Sequence, residues 1–103
     1  MQAELEKLRN ELDEIDSLLV QTLGKRFEIC RSIAAVKQEK AIPMMQSDRI
    51  RIVMQRTQEM AKDCGMRPEF IRTIYETIIS ESCRLETKIM SGGGEEVRAH
   101  ENI

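Results

Sequence analysis

Three cations, Arg9, Arg26 and Lys37, occupy positions where a helical pattern otherwise places apolar residues. At about 100° per residue, Arg26 falls on the same helix line as leucines spaced seven residues apart, and Lys37 falls on the neighbouring line. Lys37 lies only about 20° around the helix from Arg26, and the rise of a helix separates the two residues by about 16 Å. Two long basic side chains with this spacing can close around a small dianion.

Cations on an apolar face also have a purely structural explanation. Lysine and arginine can extend from the margin of an apolar stripe to water, or form half of a buried ion pair. That explanation is the stronger one for a single residue, but three cations on one helix favour a ligand, because burying unpaired charge is expensive. Asp16 is the natural acidic partner for one of the three. An incoming dianion would neutralise the others.

The cations belong to a segment that we predict to be one uninterrupted helix over about residues 3–39. It contains no proline, a single glycine at Gly24, and apolar residues at helical spacing. The stretch KAIPMMQSD ends this helix, because Pro43 disfavours helical angles at the residue before it. Ser47 is then predicted to cap a second helix, which ends at Gly65.

A third helix is predicted from Pro68, which a first turn tolerates, to Met90. Residues 91–103 include a run of glycines and show no periodicity. We therefore expect one helical domain over residues 1–90 and a disordered C-terminal tail over 91–103. No stretch alternates apolar and polar residues as a strand does, so the sequence predicts an all-α fold with three helices per subunit and a very long first helix.

The length of the first helix predicts a homodimer. Some 37 residues span about 55 Å at about 1.5 Å per residue, whereas a compact chain of this size has a radius of gyration near 13 Å. The apolar stripe follows the whole helix, so its overhanging part needs a partner, and a second copy of the chain is the simplest one. Arg9 lies about 25 Å from Arg26 along the helix and could reach only the partner's site. We expect an intertwined helical homodimer with two equivalent sites shared across subunits.

Composition excludes several classes of function. A formal net charge of -2 with mixed signs provides no broad basic surface for nucleic acid, and no apolar run approaches the about 20 residues of a membrane span. The three cysteines show no paired spacing, which favours a reducing compartment and predicts a cytoplasmic protein. The chain has no Cys/His metal spacing and no glycine-rich phosphate loop, and its one histidine, His100, lies in the predicted tail. We expect neither a metal nor a cofactor.

Four stretches, LRNELDEIDSLLVQTLGKR, AAVK, IPMMQSDR and IISESCRLE, resemble successive motifs of the all-α chorismate mutases. The resemblance covers nearly all of the predicted helical domain. It implies an intertwined dimer and an isomerase that rearranges chorismate to prephenate in aromatic amino acid biosynthesis. Such a pericyclic [3,3] Claisen rearrangement requires no nucleophile and no base. It requires a dicarboxylate folded into its reactive conformer, and positive groups where negative charge develops as the C–O bond breaks.

The same resemblance implies roles for eight residues. Arg9 from the partner subunit and Arg26 would bind carboxylates, and Lys37 would approach the ether oxygen and a carboxylate. Arg26, Lys37 and Glu86 would be the catalytic residues. The other implied substrate contacts come from the loop, the second helix and the third helix: Gln46, Arg49, Ile50, Ser82 and Glu86.

Two positions depart from the family pattern. Many members have a glutamate at the position of Ile50, and many have a glutamine at the position of Glu86, which can donate to the ether oxygen only when protonated. Related isochorismate-pyruvate lyases and mutases of 4-amino-4-deoxychorismate have an apolar residue at the Ile50 position, and PMMQ and ESCRLE resemble the latter. Chorismate, 4-amino-4-deoxychorismate and isochorismate all stay open as substrates. A non-catalytic helical dimerisation or ligand-binding module stays open as well.

Overall fold

The computed structural model describes residues 2–92, which form three α-helices. Helix α1 spans Gln2–Glu39, α2 spans Ser47–Asp63 and α3 spans Pro68–Met90. The prediction of an all-α fold with a very long first helix is confirmed, and residues 2–92 contain no strand. Residues 93–103, most of the predicted tail, lie outside the described residues, and so does His100. None of the helices within residues 2–92 combines the length and apolar character that a membrane span requires.

The start of α2 differs from the prediction by one residue. Ser47 is the first helical residue, and Gln46 occupies the N-cap position, where no side chain caps the helix. The amide of Ile50 donates to the carbonyl of Gln46 at 3.1 Å, and this bond closes the first turn. Ser47 therefore lies one position too far along the chain to act as the cap.

Each helix is followed by a residue in the left-handed region of backbone space. These residues are Ala41 with φ 58°, Gly65 with φ 77° and Gly92 with φ 102°. Glycine adopts this conformation at little cost, whereas the Cβ of an alanine makes it unfavourable by about 1 kcal/mol. The end of α1 is thus the one strained helix end among the three.

Helix α3 packs against both α1 and α2, but the core it forms with them is small. No large side chain among residues 2–92 is fully buried. The buried apolar residues are mostly small ones: Cys30, Ala34, Val53, Ala61 and Leu85. One subunit alone therefore buries little of the apolar surface that normally stabilises a fold.

The N-terminal half of α1 packs against no other part of residues 2–92. Residues 2–22 are all exposed, and the subunit measures 57 × 30 × 25 Å with a radius of gyration of 17.7 Å. A continuous apolar surface of this extent indicates a protein interface, so the homodimer stays our prediction. The exposed apolar side chains of this half, here called the α1 stripe, are Leu5, Leu8, Leu12, Ile15, Leu18, Leu19 and Val20.

Replacing Leu12 with glutamate is expected to abolish dimerisation. Leu12 is 59% exposed in the subunit, so a carboxylate there harms the isolated subunit little, whereas in the predicted interface it would be buried without a partner. Sedimentation velocity at micromolar chain concentration should show a dimeric parent and a loss of dimer in Leu12→Glu. Asn10→Glu is the matched control, because it adds the same charge about 200° around the helix. A monomeric parent would contradict the dimer prediction.

Candidate active site

A cavity of about 300 Å³ lies between the C-terminal half of α1, the start of α2 and the C-terminal half of α3. Among the described residues, three cations and a single carboxylate line it, so this part of the lining carries net positive charge. Most of the remaining wall is aliphatic or sulfur-containing, which suits a small, partly apolar anion. Seven of the eight residues singled out in the sequence line this one cavity: Arg26, Lys37, Gln46, Arg49, Ile50, Ser82 and Glu86.

A larger and shallower groove of about 570 Å³ lies elsewhere, between α2 and α3. Charges of both signs line it, including Arg51, Glu59 and Glu69, and it contains none of the predicted site residues. Because its charges are mixed in sign, this groove is poorly suited to a dianion, and the smaller cavity is the better candidate active site.

Two acceptors hold Lys37 at the wall of the cavity. Its Nζ donates to Oε1 of Glu86 at 2.9 Å and to the main-chain carbonyl of Met44 at 2.6 Å. The Lys37 and Glu86 side chains are only 14% and 11% exposed, so water screens this ion pair poorly. Glu86, and not Asp16, is thus the carboxylate that pairs with Lys37 within the subunit. An ammonium has three N–H donors, and no group among residues 2–92 takes the third.

Arg26 is oriented by uncharged groups of α3. Its guanidinium donates to Oγ of Ser82 at 3.1 Å and lies 5.6 Å from the ring centroid of Tyr75, within the range of a cation–π contact. Ser82 in turn donates to the carbonyl of Ile78 at 2.9 Å, which fixes the hydroxyl. Within residues 2–92, no carboxylate forms an ion pair with Arg26. Its positive charge is therefore available to an anionic ligand.

The start of α2 and the loop before it form the third wall of the cavity. The side-chain amide of Gln46 donates to the carbonyls of Pro43 at 3.2 Å and Met45 at 3.4 Å, which leaves its oxygen as the free acceptor. Arg49 is exposed, and among residues 2–92 it forms no ion pair. Ile50 is half-buried and contributes an apolar surface beside that cation.

Arg9 is the predicted site residue that does not line the cavity of its own subunit. Its side chain is 61% exposed and lies 3.6 Å from the carboxylate of Glu6, in a surface pair of little energetic weight. Because α1 is continuous, Arg9 stays about 25 Å from Arg26. A contact between Arg9 and a bound ligand requires the partner subunit, and this contact stays a prediction.

Sequence reasoning missed three groups at the site. The Met44 carbonyl is a main-chain group, so the residue type at this position does not predict its contact with Lys37. Tyr75 precedes Ser82 by seven residues, a helical spacing that could have placed the two on one face. Cys83 also lines the cavity, and burial raises the pKa of its thiol, with the nearby Glu86 carboxylate raising it further. Cys83 is therefore an uncharged part of the wall at neutral pH.

The sequence is similar to those of known proteins over most of the chain. Residues 8–87 match the family model of chorismate mutase type II. A 4-amino-4-deoxychorismate mutase of Streptomyces pristinaespiralis is 41% identical over 90 residues, which are 87% of this chain and 70% of that protein. A protein of the same name from Streptomyces venezuelae is 39% identical over 90 residues, 87% of each chain. A chorismate mutase of Methanocaldococcus jannaschii is 20% identical over 86 residues, 84% of this chain and 87% of that protein.

The matched span runs from α1 almost to the end of α3, and it includes Arg9 as well as the entire lining of the cavity. The family match and the site residues thus concern the same part of the molecule. The chain belongs to the chorismate mutase type II family.

Proposed function

We propose that this enzyme rearranges 4-amino-4-deoxychorismate, and that chorismate is the second candidate substrate. The observation that carries the proposal is the cavity in which unpaired Arg26 and oriented Lys37 face one small volume. Identities of 41% and 39% to two 4-amino-4-deoxychorismate mutases favour the amino substrate over chorismate. A volume of about 300 Å³ lies at the lower end of the range for ligand pockets, which suits a molecule of this size.

The proposed reaction is an isomerisation in which no proton leaves the substrate. One C–O bond of the enolpyruvyl ether breaks while a C–C bond forms across the ring. Arg26 and Arg49 bind the carboxylates and hold the ether side chain over the ring. The reactive conformer, which is rare in water, is in this way held in the bound substrate. The free N–H of Lys37 donates to the ether oxygen, where negative charge grows as the C–O bond lengthens. Arg9 from the partner subunit completes the carboxylate site.

Glu86 is proposed to act as a carboxylate, not as a hydrogen-bond donor to the ether oxygen. The support is its 2.9 Å contact with the Lys37 ammonium, in which the glutamate oxygen is the acceptor. A largely buried pair of this kind restricts the rotation of the lysine side chain. In this role Glu86 orients the group that stabilises the developing charge.

Parallel incubations with 4-amino-4-deoxychorismate, chorismate and isochorismate test the proposal. Products should be separated by chromatography and identified by mass spectrometry, with kcat and KM measured for each substrate. We expect the highest kcat/KM for 4-amino-4-deoxychorismate and a product of unchanged mass. Faster turnover of chorismate would reverse the order of the two candidates. Release of pyruvate from isochorismate would indicate a lyase, and no turnover of any substrate would indicate a binding module.

Replacing Ile50 with glutamate is expected to raise kcat/KM for chorismate. A carboxylate at this half-buried position can accept a hydrogen bond from a ring hydroxyl, and such charged hydrogen bonds are worth about 1.5 to 3 kcal/mol. The kcat/KM for chorismate should therefore rise about tenfold over the parent value. Ile50→Gln controls for size without charge. An unchanged kcat/KM for chorismate would show that this position does not contact the ring hydroxyl.

A further inference from the structure

The loop between α1 and α2 begins with a strained residue. Ala41 has a φ of 58°, although glycine occupies the same place after α2 and after α3. Ala41 is exposed, so no burial of its methyl group within the subunit offsets the strain. A non-glycine residue keeps this conformation only when its surroundings determine it.

Those surroundings are centred on Lys37. The amide of Ile42 donates to the carbonyl of Lys37 at 2.8 Å, and the amide of Ala41 donates to that of Gln38 at 3.4 Å. These two bonds form a Schellman motif, in which Ala41 is the left-handed residue. The Lys37 ammonium then donates to the Met44 carbonyl at 2.6 Å. Both the main chain and the side chain of Lys37 are thus bonded to the same short loop.

Helix α2 ends in the same motif away from the cavity. There the amide of Met66 donates to the carbonyl of Ala61 at 2.8 Å, and that of Gly65 donates to Lys62 at 3.0 Å. No residue from 61 to 67 lines the cavity that contains Lys37. The end of α2 is therefore a control for the end of α1: it has the same backbone geometry, but its residues do not line the cavity.

We propose that the loop over residues 40–46 positions Lys37 for catalysis, with the left-handed residue 41 placing the Met44 carbonyl on the ammonium. The carbonyl and Glu86 take two of the three N–H donors, so the third is left for a ligand in the cavity that Lys37 lines. Without the carbonyl, the ammonium can rotate about its contact with Glu86. A catalytic group displaced by about 1 Å can lose about 100-fold in rate. The effect of this positioning on the reaction rate rests on the proposed function, whereas the positioning of the ammonium itself does not.

The test compares three variants by kcat, KM and thermal midpoint. Ala41→Val disfavours the left-handed conformation, since a β-branched residue almost never adopts it, and should lower kcat about tenfold while KM changes less than twofold. Ala41→Gly removes the strain, so kcat should stay at or above the parent value and the thermal midpoint should rise. Gly65→Val introduces the same backbone strain at the α2 motif, so it should lower the thermal midpoint and leave kcat unchanged.

A proton–nitrogen correlation spectrum of the lysine ammonium groups tests the positioning without turnover. The shielded Lys37 ammonium should give a slowly exchanging signal in the parent and in Ala41→Gly, and a weakened one in Ala41→Val. An Ala41→Val protein that keeps both the parent signal and the parent kcat would overturn the proposal. An equal loss of kcat in Gly65→Val would overturn it too, because the effect would then be general. A parent without turnover defeats the proposed function, whereas the spectra still decide the positioning.

Discussion

Replacing Lys37 with methionine is expected to lower kcat about 100- to 1,000-fold. Removal of one donor that stabilises a developing oxyanion has this effect in other enzymes, and Lys37 lines the cavity with one N–H that neither Glu86 nor the Met44 carbonyl takes. Methionine preserves most of the aliphatic stem, so the shape of the cavity should survive. Initial rates on the substrate that the parent turns over fastest provide the measurement. A variant with the parent kcat would exclude Lys37 as a catalytic residue.

The same substitution should also destabilise the fold. It leaves the Glu86 carboxylate, which is 11% exposed, without its cation, and breaking such a buried pair removes about 3 to 5 kcal/mol. Adding Glu86→Gln removes the stranded charge, so the double variant should regain stability without regaining turnover. Urea unfolding at one fixed chain concentration measures the free energy of unfolding, and initial rates measure turnover. This comparison separates loss of a catalytic donor from loss of structure.

Two inactive variants should restore activity to each other when they are refolded together. If Arg9 serves the opposite subunit, a heterodimer of Arg9→Ala and Lys37→Met chains has one site with both lesions and one intact site. Random pairing makes half of the dimers heterodimers, so activity should recover to about a quarter of the parent value.

The matched control pairs Lys37→Met with Arg26→Met. Both residues line the cavity of the same subunit, so every site in such a heterodimer carries a lesion and no activity should return. Recovery in the first mixture but not in the second identifies Arg9 as the residue contributed by the partner. Two inactive mixtures would contradict the shared site, whereas recovery in both would point to the refolding procedure.

Helix bounds were the most predictable feature of the fold because they depend on local chemistry. Pro68 begins α3 and Pro43 prevents a helix from continuing through the loop after α1, both through the backbone restrictions of proline, and Gly65 ends α2 through its tolerance of positive φ. Ser47 was wrong as a cap by one residue, because Gln46 occupies the N-cap position without a side-chain hydrogen bond, against the usual preference for serine there. The left-handed Ala41 could not be predicted, since alanine rarely adopts this conformation.

The side chains of the site were predictable as a set, but their contacts were not. A helical period reveals that Arg26 and Lys37 share a face with apolar residues. It cannot reveal that Glu86, 49 residues later, lies 2.9 Å from Lys37, because this distance depends on how α3 packs against α1. The expectation of cations without acidic partners therefore holds for one of these two residues within the described part of the chain. Arg26 has no acidic partner within residues 2–92, whereas Lys37 has one.

The α1 stripe also affects how the protein is made. Helix α1 precedes α3 in the chain, so its exposed leucines are synthesised well before the last residue of α3, Met90. At about 5 to 20 residues per second, translation from residue 22 to that point takes roughly 3 to 14 seconds. Throughout that interval the apolar side chains of the N-terminal half of α1 have no packing partner within residues 2–92. In the predicted homodimer, identical helices on neighbouring ribosomes of one message would be the nearest partners, so two nascent chains could pair before either has been completed.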